Sequence, residues 1–465
     1  MLFPPLSPHG WPHNGSVDRD LVLGLDIGTT RSKALLLDVS GTEVAVVVAP
    51  TPFVALDGRI EAPVDRLISA AVSLVAQLGA ERERVAAVGI AGMAECGAPL
   101  DRTGEALAPV IAWHDPRGAG VAEQLAQRFG DALGLRTGQR PRSVSSVAKL
   151  GWLVADGYTG VTRWLGVPEL LLRDLTGTEA TEHSFASRTG CWDVVEKVWL
   201  EDVAEAAGFS HSVFAPVLAA GSAMGVVGRD AAERWGLPAG IPVTLAGHDH
   251  LAGAAGVGAG PGDLVNSVGT AETVLGLTST PPDLVRALEL RTPVSVAPGG
   301  RAWVVLAGAA RAGVVLDAAA RLLGHSIEEL DAMAEDAPCV DAGAFLRDLQ
   351  AGGEASPPEG APGAVWRGLL HALAERTADA AARVGQLVPA RRMLVIGGGS
   401  ASRPWLRAKL ALVPLPIVLP ATSQAVARGA AVFAGQAAGW WPSPEAAPKL
   451  EAAAVSVKKR AQDPF

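Results

Sequence analysis

Cysteine is scarce in this chain: Cys96, Cys191 and Cys339 stand far apart in 465 residues. Three scattered thiols are too few for a disulfide framework or a thiolate metal cluster, which points to a reducing, cytoplasmic setting. A basic surplus is missing as well. Against 39 Lys and Arg stand 48 Asp and Glu, a formal net charge of −9, so no nucleic-acid partner is expected. The single basic run, Lys458-Lys459-Arg460, is short and reads as a solvated end. Long apolar runs are also lacking. The longest uncharged window, Leu410 to Ala427, is cut by Pro414, Pro416 and Pro420, which suits a strand edge and loop and excludes a membrane partner. The first eighteen residues carry four prolines and no apolar core, so 1–18 reads as a loose leader, not a signal peptide.

What is present is a globular composition, 49% hydrophobic and 19% charged, long enough for two to three domains with their own cores. One stretch organises the rest. Val243-Thr244-Leu245-Ala246 reads as a short buried strand ending on Gly247-His248-Asp249-His250, which puts a carboxylate just past a strand end. Asp249 there is a turn former, a helix N-cap or a catalytic group. After a Gly/Ala segment, Leu264 to Val268 and Thr273 to Leu275 read as a β-hairpin with Gly269-Thr270 at its tip. Backbone N–H groups and a hydroxyl at such a tip suit a phosphate.

The same pattern occurs near the start. Leu21 to Asp38 reads as strand, glycine turn, strand, with Asp26 near the tip and Gly28, Thr29 and Thr30 in the turn. Asp26 suits a hydrated Mg²⁺, which needs only one or two carboxylates. Gly28 permits close backbone approach, and Thr29, Thr30 and the nearby Lys33 can donate to phosphate oxygens. Two such hairpins half a chain apart imply two related domains closing on one nucleotide.

Asp26-Ile27-Gly28-Thr29-Thr30, then Gly247-His248-Asp249-His250, then Ser267-Val268-Gly269-Thr270 and a late Gly397-Gly398-Gly399-Ser400 resemble, in order and spacing, the FGGY carbohydrate kinases of the actin-like ATPase superfamily. The resemblance runs from about Leu21 to Gly439. It implies an α/β fold of two ribonuclease-H-like (actin-like) domains flanking a central cleft: 19–258 for sugar and base, 259–440 for nucleotide, then a tail, 441–465. It further implies ATP and Mg²⁺ as cofactors, a small sugar or polyol as substrate, and Asp249 and Asp26 as catalytic residues. A homodimer is compatible with it.

The residues between these motifs fit the resemblance unevenly. Met93-Ala94-Glu95 lies where the family's sugar-side strand has a glutamine and two contact residues, so Ala94 and Glu95 become substrate candidates. Trp113-His114-Asp115-Pro116-Arg117 matches the family's W-x-D-x-R element, with Trp113 an apolar wall, Asp115 an acceptor and Arg117 a fork of donors; a structural Asp–Arg pair is the alternative. His250 joins the substrate set beside Asp249. Gly308 resembles a nucleotide-contacting glycine, and Gly398 with Gly399 fits the adenosine turn. Met93, His371 and Gln424 depart from the family pattern. A helix is expected from about Arg66 to Leu78 with Asp65 as its N-cap, and Val85 to Leu100 opens as a buried strand and ends at a hairpin turn, Asp101 to Gly104. Two rivals remain open: another actin-like ATPase, and a non-catalytic sugar- or nucleotide-binding protein on the same fold.

Overall fold

The computed structural model describes residues 19–450, save 353, together with the short strand Ala452–Ala454. The expected leader and the basic run 458–460 lie outside the described residues.

Strands β1 (Leu21–Ile27), β2 (Arg31–Asp38) and β3 (Glu43–Pro50) form an antiparallel meander. Next, β4 (Val85–Gly92) runs parallel to β1, and β5 (Pro242–His248) parallel to β4. β1 is buried at every position, as a strand covered on both faces must be, whereas edge strand β3 alternates toward solvent. The second sheet repeats this plan. β6 (Asp263–Val268), β7 (Glu272–Thr278) and β8 (Trp303–Ala310) form the meander. β9 (Arg392–Ile396) lies parallel to β6, and β10 (Ile417–Pro420) parallel to β9. Short edge strands extend both sheets. The expected pair of ribonuclease-H-like lobes is present, strand for strand.

Five helices bear on the site: α1 (His183–Arg188), α2 (Asp249–Gly256), α3 (Ala312–Leu323), α4 (Arg403–Leu412) and α5 (Ala425–Ala437). α5 follows β10 of the second sheet, yet it packs on α2 and on β1, β4 and β5 of the first. Backbone touches backbone along that seam. A Cβ on Gly429 would lie 1.8 Å from the carbonyl oxygen of Ala252, and one on Gly24 2.0 Å from that of Ala427, so only glycine fits. Arg428, 2% exposed, fastens the crossing by donating to the carbonyls of Gly256 at 3.1 Å and Gly41 at 2.8 Å.

A smaller five-stranded sheet, Val54–Leu56 to Arg163–Gly166, is carried by the first lobe. It divides the apolar stretch after Val85. β4 ends at Gly92, and Gly97–Leu100 belongs to the smaller sheet. Between them Glu95 adopts φ +65°, a left-handed conformation uncommon outside glycine. The helix expected at Arg66 begins at Val64 with Pro63 before it; Asp65 falls inside the first turn and caps nothing. Proline's fixed φ and missing donor suit a helix entry, and an acid in the first turn still favours the dipole.

Candidate active site

The floor of the site is the junction of β5 and α2. Asp249 is the first residue of α2, its Oδ1 accepting from the backbone N–H of His250 at 2.6 Å. The same oxygen lies 3.2 Å from Nε2 of His248 and 4.0 Å from Nε2 of His250. Oδ2 takes no hydrogen bond among the described residues. Burial alone would raise the Asp249 pKa, but the His250 and His248 rings and the His250 N–H outweigh it and hold it below the ordinary carboxylate value. Burial also pushes His248 down to about 4, leaving a neutral ring near pH 7. His250 reaches across the cleft, its Nδ1 2.9 Å from Oγ of Ser267 on β6. One residue thus ties the carboxylate to the strand that leads into the second hairpin tip.

At the first tip, Asp26 is 4% exposed, with Oδ2 3.1 Å from Nζ of Lys33 and Oδ1 without a partner among the described residues. Burial raises its pKa; Lys33 pulls it back, and the charge of Asp249 raises it again. The two carboxylates therefore feel each other. Gly28 is fixed by the Thr51 hydroxyl, which donates to its carbonyl at 2.7 Å. Trp113 donates its indole N–H to the Thr29 hydroxyl at 2.9 Å, so the tryptophan joins its own loop to the first hairpin turn. Thr30 is exposed at the tip.

Of the residues expected on the sugar side, Ala94 is buried and Glu95 accepts from Arg188 at 2.7 Å. Burial would raise the Glu95 pKa, but Arg188, then Arg142, His248 and Lys149, keep it lowered and ionised. Asp115 and Arg117, expected in the substrate set with a structural pair as the alternative, bond each other. Both oxygens of Asp115 accept from the Arg117 guanidinium at 2.7 Å, the backbone N–H of Ile60 adds a third bond, and the remaining end of Arg117 meets Glu61 at 2.5 Å. Asp115 is 1% exposed. A closed bidentate pair of this kind holds a loop. Lys149, fully buried, supports the same loop by donating to the carbonyls of Trp113 at 3.1 Å and Val144 at 2.7 Å.

Sequence reasoning overlooked α1, which lies in what reads as a plain Ser/Thr-rich stretch. Its Ser184 accepts from the backbone N–H of His248 at 2.8 Å, its Ser187 from the N–H of Val296 in the second lobe at 3.0 Å, and its Arg188 pairs with Glu95. Glu182 caps the helix, accepting from the N–H of Phe185 at 2.9 Å and from the Ser184 hydroxyl. A single turn and a half of helix thereby holds the His248–Asp249 junction, the lobe contact and the Glu95 carboxylate.

The second lobe supplies uncharged tips. Gly269 and Thr270 are exposed, and the N–H of Gly313, in the first turn of α3, reaches the carbonyl of Gly269 at 3.2 Å. Gly397 turns β9 with φ +91°, where a Cβ would meet the Val268 carbonyl at 2.3 Å; Gly398 is open and Gly399 abuts Val268. Gly308 is exposed on β8. The second hairpin, the α3 terminus and the glycine turn thus converge, and Gly313 is a member that sequence reasoning passed over. Beneath them Lys409, 1% exposed, donates to Asn266 at 2.6 Å and to Glu272 at 2.8 Å. His371 is remote, facing Glu375 along its own helix.

Residues 21–256 match the N-terminal domain of the FGGY family of carbohydrate kinases. A xylulose kinase from Streptomyces rubiginosus is 30% identical over 442 residues, covering 90% of this chain and 88% of that protein. An L-fuculokinase from Salmonella typhi is 27% identical over 460 residues, 92% of this chain and 95% of its own. The solved xylulose kinase of Rhodospirillum rubrum superposes with a TM-score of 0.77 at 25% identity, covering 90% of this chain and 92% of that one. No described helix is long and apolar enough to cross a membrane.

Proposed function

Because this chain belongs to the FGGY family of carbohydrate kinases and transfers phosphate from ATP to a sugar or polyol, we propose that Asp249 is its base and that the substrate lies between Glu95 and Trp113. One observation carries the assignment. Asp249 keeps an unengaged carboxylate oxygen at a helix head, next to a sugar-side carboxylate–guanidinium pair and one residue from the bridge to the second hairpin. Phosphoryl transfer passes through a loose transition state in which the proton leaves late, so a carboxylate with an ordinary or lowered pKa suffices. Asp249 orients the attacking hydroxyl and takes its proton. Glu95 accepts hydrogen bonds from neighbouring hydroxyls, Arg188 fixes Glu95, and Trp113 covers a sugar face.

Thr29, Thr30, Lys33 and Thr270 hold phosphates from opposite lobes, and Gly308, Gly398 and Gly399 let the adenosine end approach backbone. Asp26 fits a magnesium ion, since it is a buried carboxylate with one free oxygen whose proton affinity is raised by burial and by a second carboxylate nearby. When bound, that ion would neutralise phosphate charge. The three cysteines are free, in keeping with a cytoplasmic enzyme.

The relatives are named for ketoses and a deoxyketose, so a panel of pentuloses, hexuloses, pentitols and glycerol in a coupled ADP-release assay is the direct test. Turnover that depends on one class of sugar is expected. ADP release independent of every sugar would return the actin-like ATPase reading, and none at all the binding-protein reading.

A further inference from the structure

The three residues at the floor of the cleft have a second chemistry. Nε2 of His248 is 3.2 Å from Oδ1 of Asp249, and Nε2 of His250 is 4.0 Å from it. One ligand atom from each residue fits within 4.8 Å of the others. Tetrahedral zinc, with bonds of about 2.0–2.2 Å, sets its ligands about 3.3 Å apart, so the His248–Asp249 spacing already matches and His250 needs a small ring movement. His250 also has the support a metal-bound imidazole usually has: its other nitrogen, Nδ1, is held by the Ser267 hydroxyl at 2.9 Å, which fixes the ring and leaves Nε2 facing the carboxylate. His248 is about nine-tenths buried, and its Nδ1 is an unpartnered buried atom. Its backbone is anchored by the Ser184 hydroxyl.

We propose that His248, Asp249 and His250 form a chelating site for a borderline divalent ion of the zinc type, and that occupancy withdraws the base from catalysis. Two nitrogens and one carboxylate are the donor set such ions select. Magnesium takes oxygen ligands and keeps its waters, so it competes poorly here. The site is distinct from Asp26. Binding stands on geometry alone; the inhibitory consequence rests on Asp249 being the base.

The test titrates zinc chloride into chelator-treated full-length protein, without sugar or nucleotide, in competition with a chromophoric chelator and in the presence of excess Mg²⁺. Cys339, the one exposed thiol, is replaced by serine throughout. One zinc per chain is expected, with affinity reduced at least about tenfold in His248→Asn and in His250→Asn and abolished in the double variant. Circular dichroism verifies that the variants are folded. Cobalt(II) added to the parent protein gives the visible spectrum of an imidazole-ligated ion, a readout that needs no variant at the site. Zinc retained by the double variant with parental affinity and stoichiometry, or a cobalt spectrum lacking imidazole ligation, overturns the site. In a separate assay with Mg²⁺, ATP and sugar, zinc bound at these residues with turnover unchanged overturns the inhibitory role, while the kinetics of Asp249→Asn test the base independently of zinc.

Discussion

The two lobes share a strand order and differ in where they put charge. In the first, Asp26, Glu95 and Asp249 stand at strand ends, each against a cation or ring and each with an oxygen left over. In the second, the tips that face the cleft are glycine and threonine, and the buried ion pair Lys409–Glu272 lies behind them. Lys409 and Glu272 are 1% and 0% exposed, whereas Asp249 keeps 28% of its side chain accessible. The same fold therefore serves two ends. One copy presents groups that can accept a proton, and the other presents glycine and threonine tips and keeps its charges buried.

The strongest challenge to that contrast is Asp249→Asn, which keeps the shape and removes the proposed base. A fall in kcat of about 10²–10⁴ is expected, with the KM for ATP little changed, because Asp249 is not among the groups proposed to hold the nucleotide. Steady-state kinetics with both substrates varied decide it. Near-full turnover would remove Asp249 from the role, and an equal loss of ATP affinity would dissolve the division between lobes.

Lys409→Met probes the opposite side. Removing one member of a buried pair leaves Glu272 uncompensated, which costs about 3–5 kcal/mol. Glu272 opens β7 two residues after Thr270, and Asn266 lies on β6 before it, so the KM for ATP should rise while that for sugar holds. Lys409→Met with Glu272→Gln should recover much of the stability, since neither charge is then stranded. Denaturant melts together with the two KM values give the readout; a Lys409→Met protein as stable as its parent would show that the pair does not hold the hairpin.

How much of this was legible in the sequence follows from what local pattern encodes. Apolar runs ending in glycine marked β1, β5, β6 and β9, and with them Asp26, Asp249, Gly269-Thr270 and Gly398, because a strand and its turn are written in adjacent residues. The partners were not legible. Arg188 meets Glu95 across 93 residues, and Lys409 meets Glu272 across 137. No periodicity links such positions; only the seating of α1 and of α4 brings them together. The Asp115–Arg117 pair was open to two readings because spacing alone places a carboxylate and a guanidinium side by side without saying which way they face. The break inside the run from Val85 to Leu100 was not legible either: an apolar strand looks alike in either sheet, and the left-handed turn at Glu95 has no glycine to announce it.

The smallest expected effect concerns α1 and has a sign that pH reveals. Burial pushes Glu182 up to about 7 from an ordinary 4.5, and the short link to Ser184 and the Phe185 N–H only partly offset it. Between those values the unfolded chain has released a proton that the folded one keeps, so stability falls as pH rises from about 4.5 to about 7 and is level beyond. The loss amounts to roughly 3 kcal/mol for one carboxyl. Glu169, also pushed up to about 7, adds a like contribution. Glu182→Gln removes its own share and flattens, without abolishing, the fall in denaturant midpoint across that window. Since Ser184 also holds the N–H of His248, the same variant should shift kcat more than the KM for sugar, the signature of a positioning residue. A midpoint that falls equally in variant and parent would mean that Glu182 is already ionised in the folded protein, and that the helix beneath the His248–Asp249 junction rests on Ser184 alone.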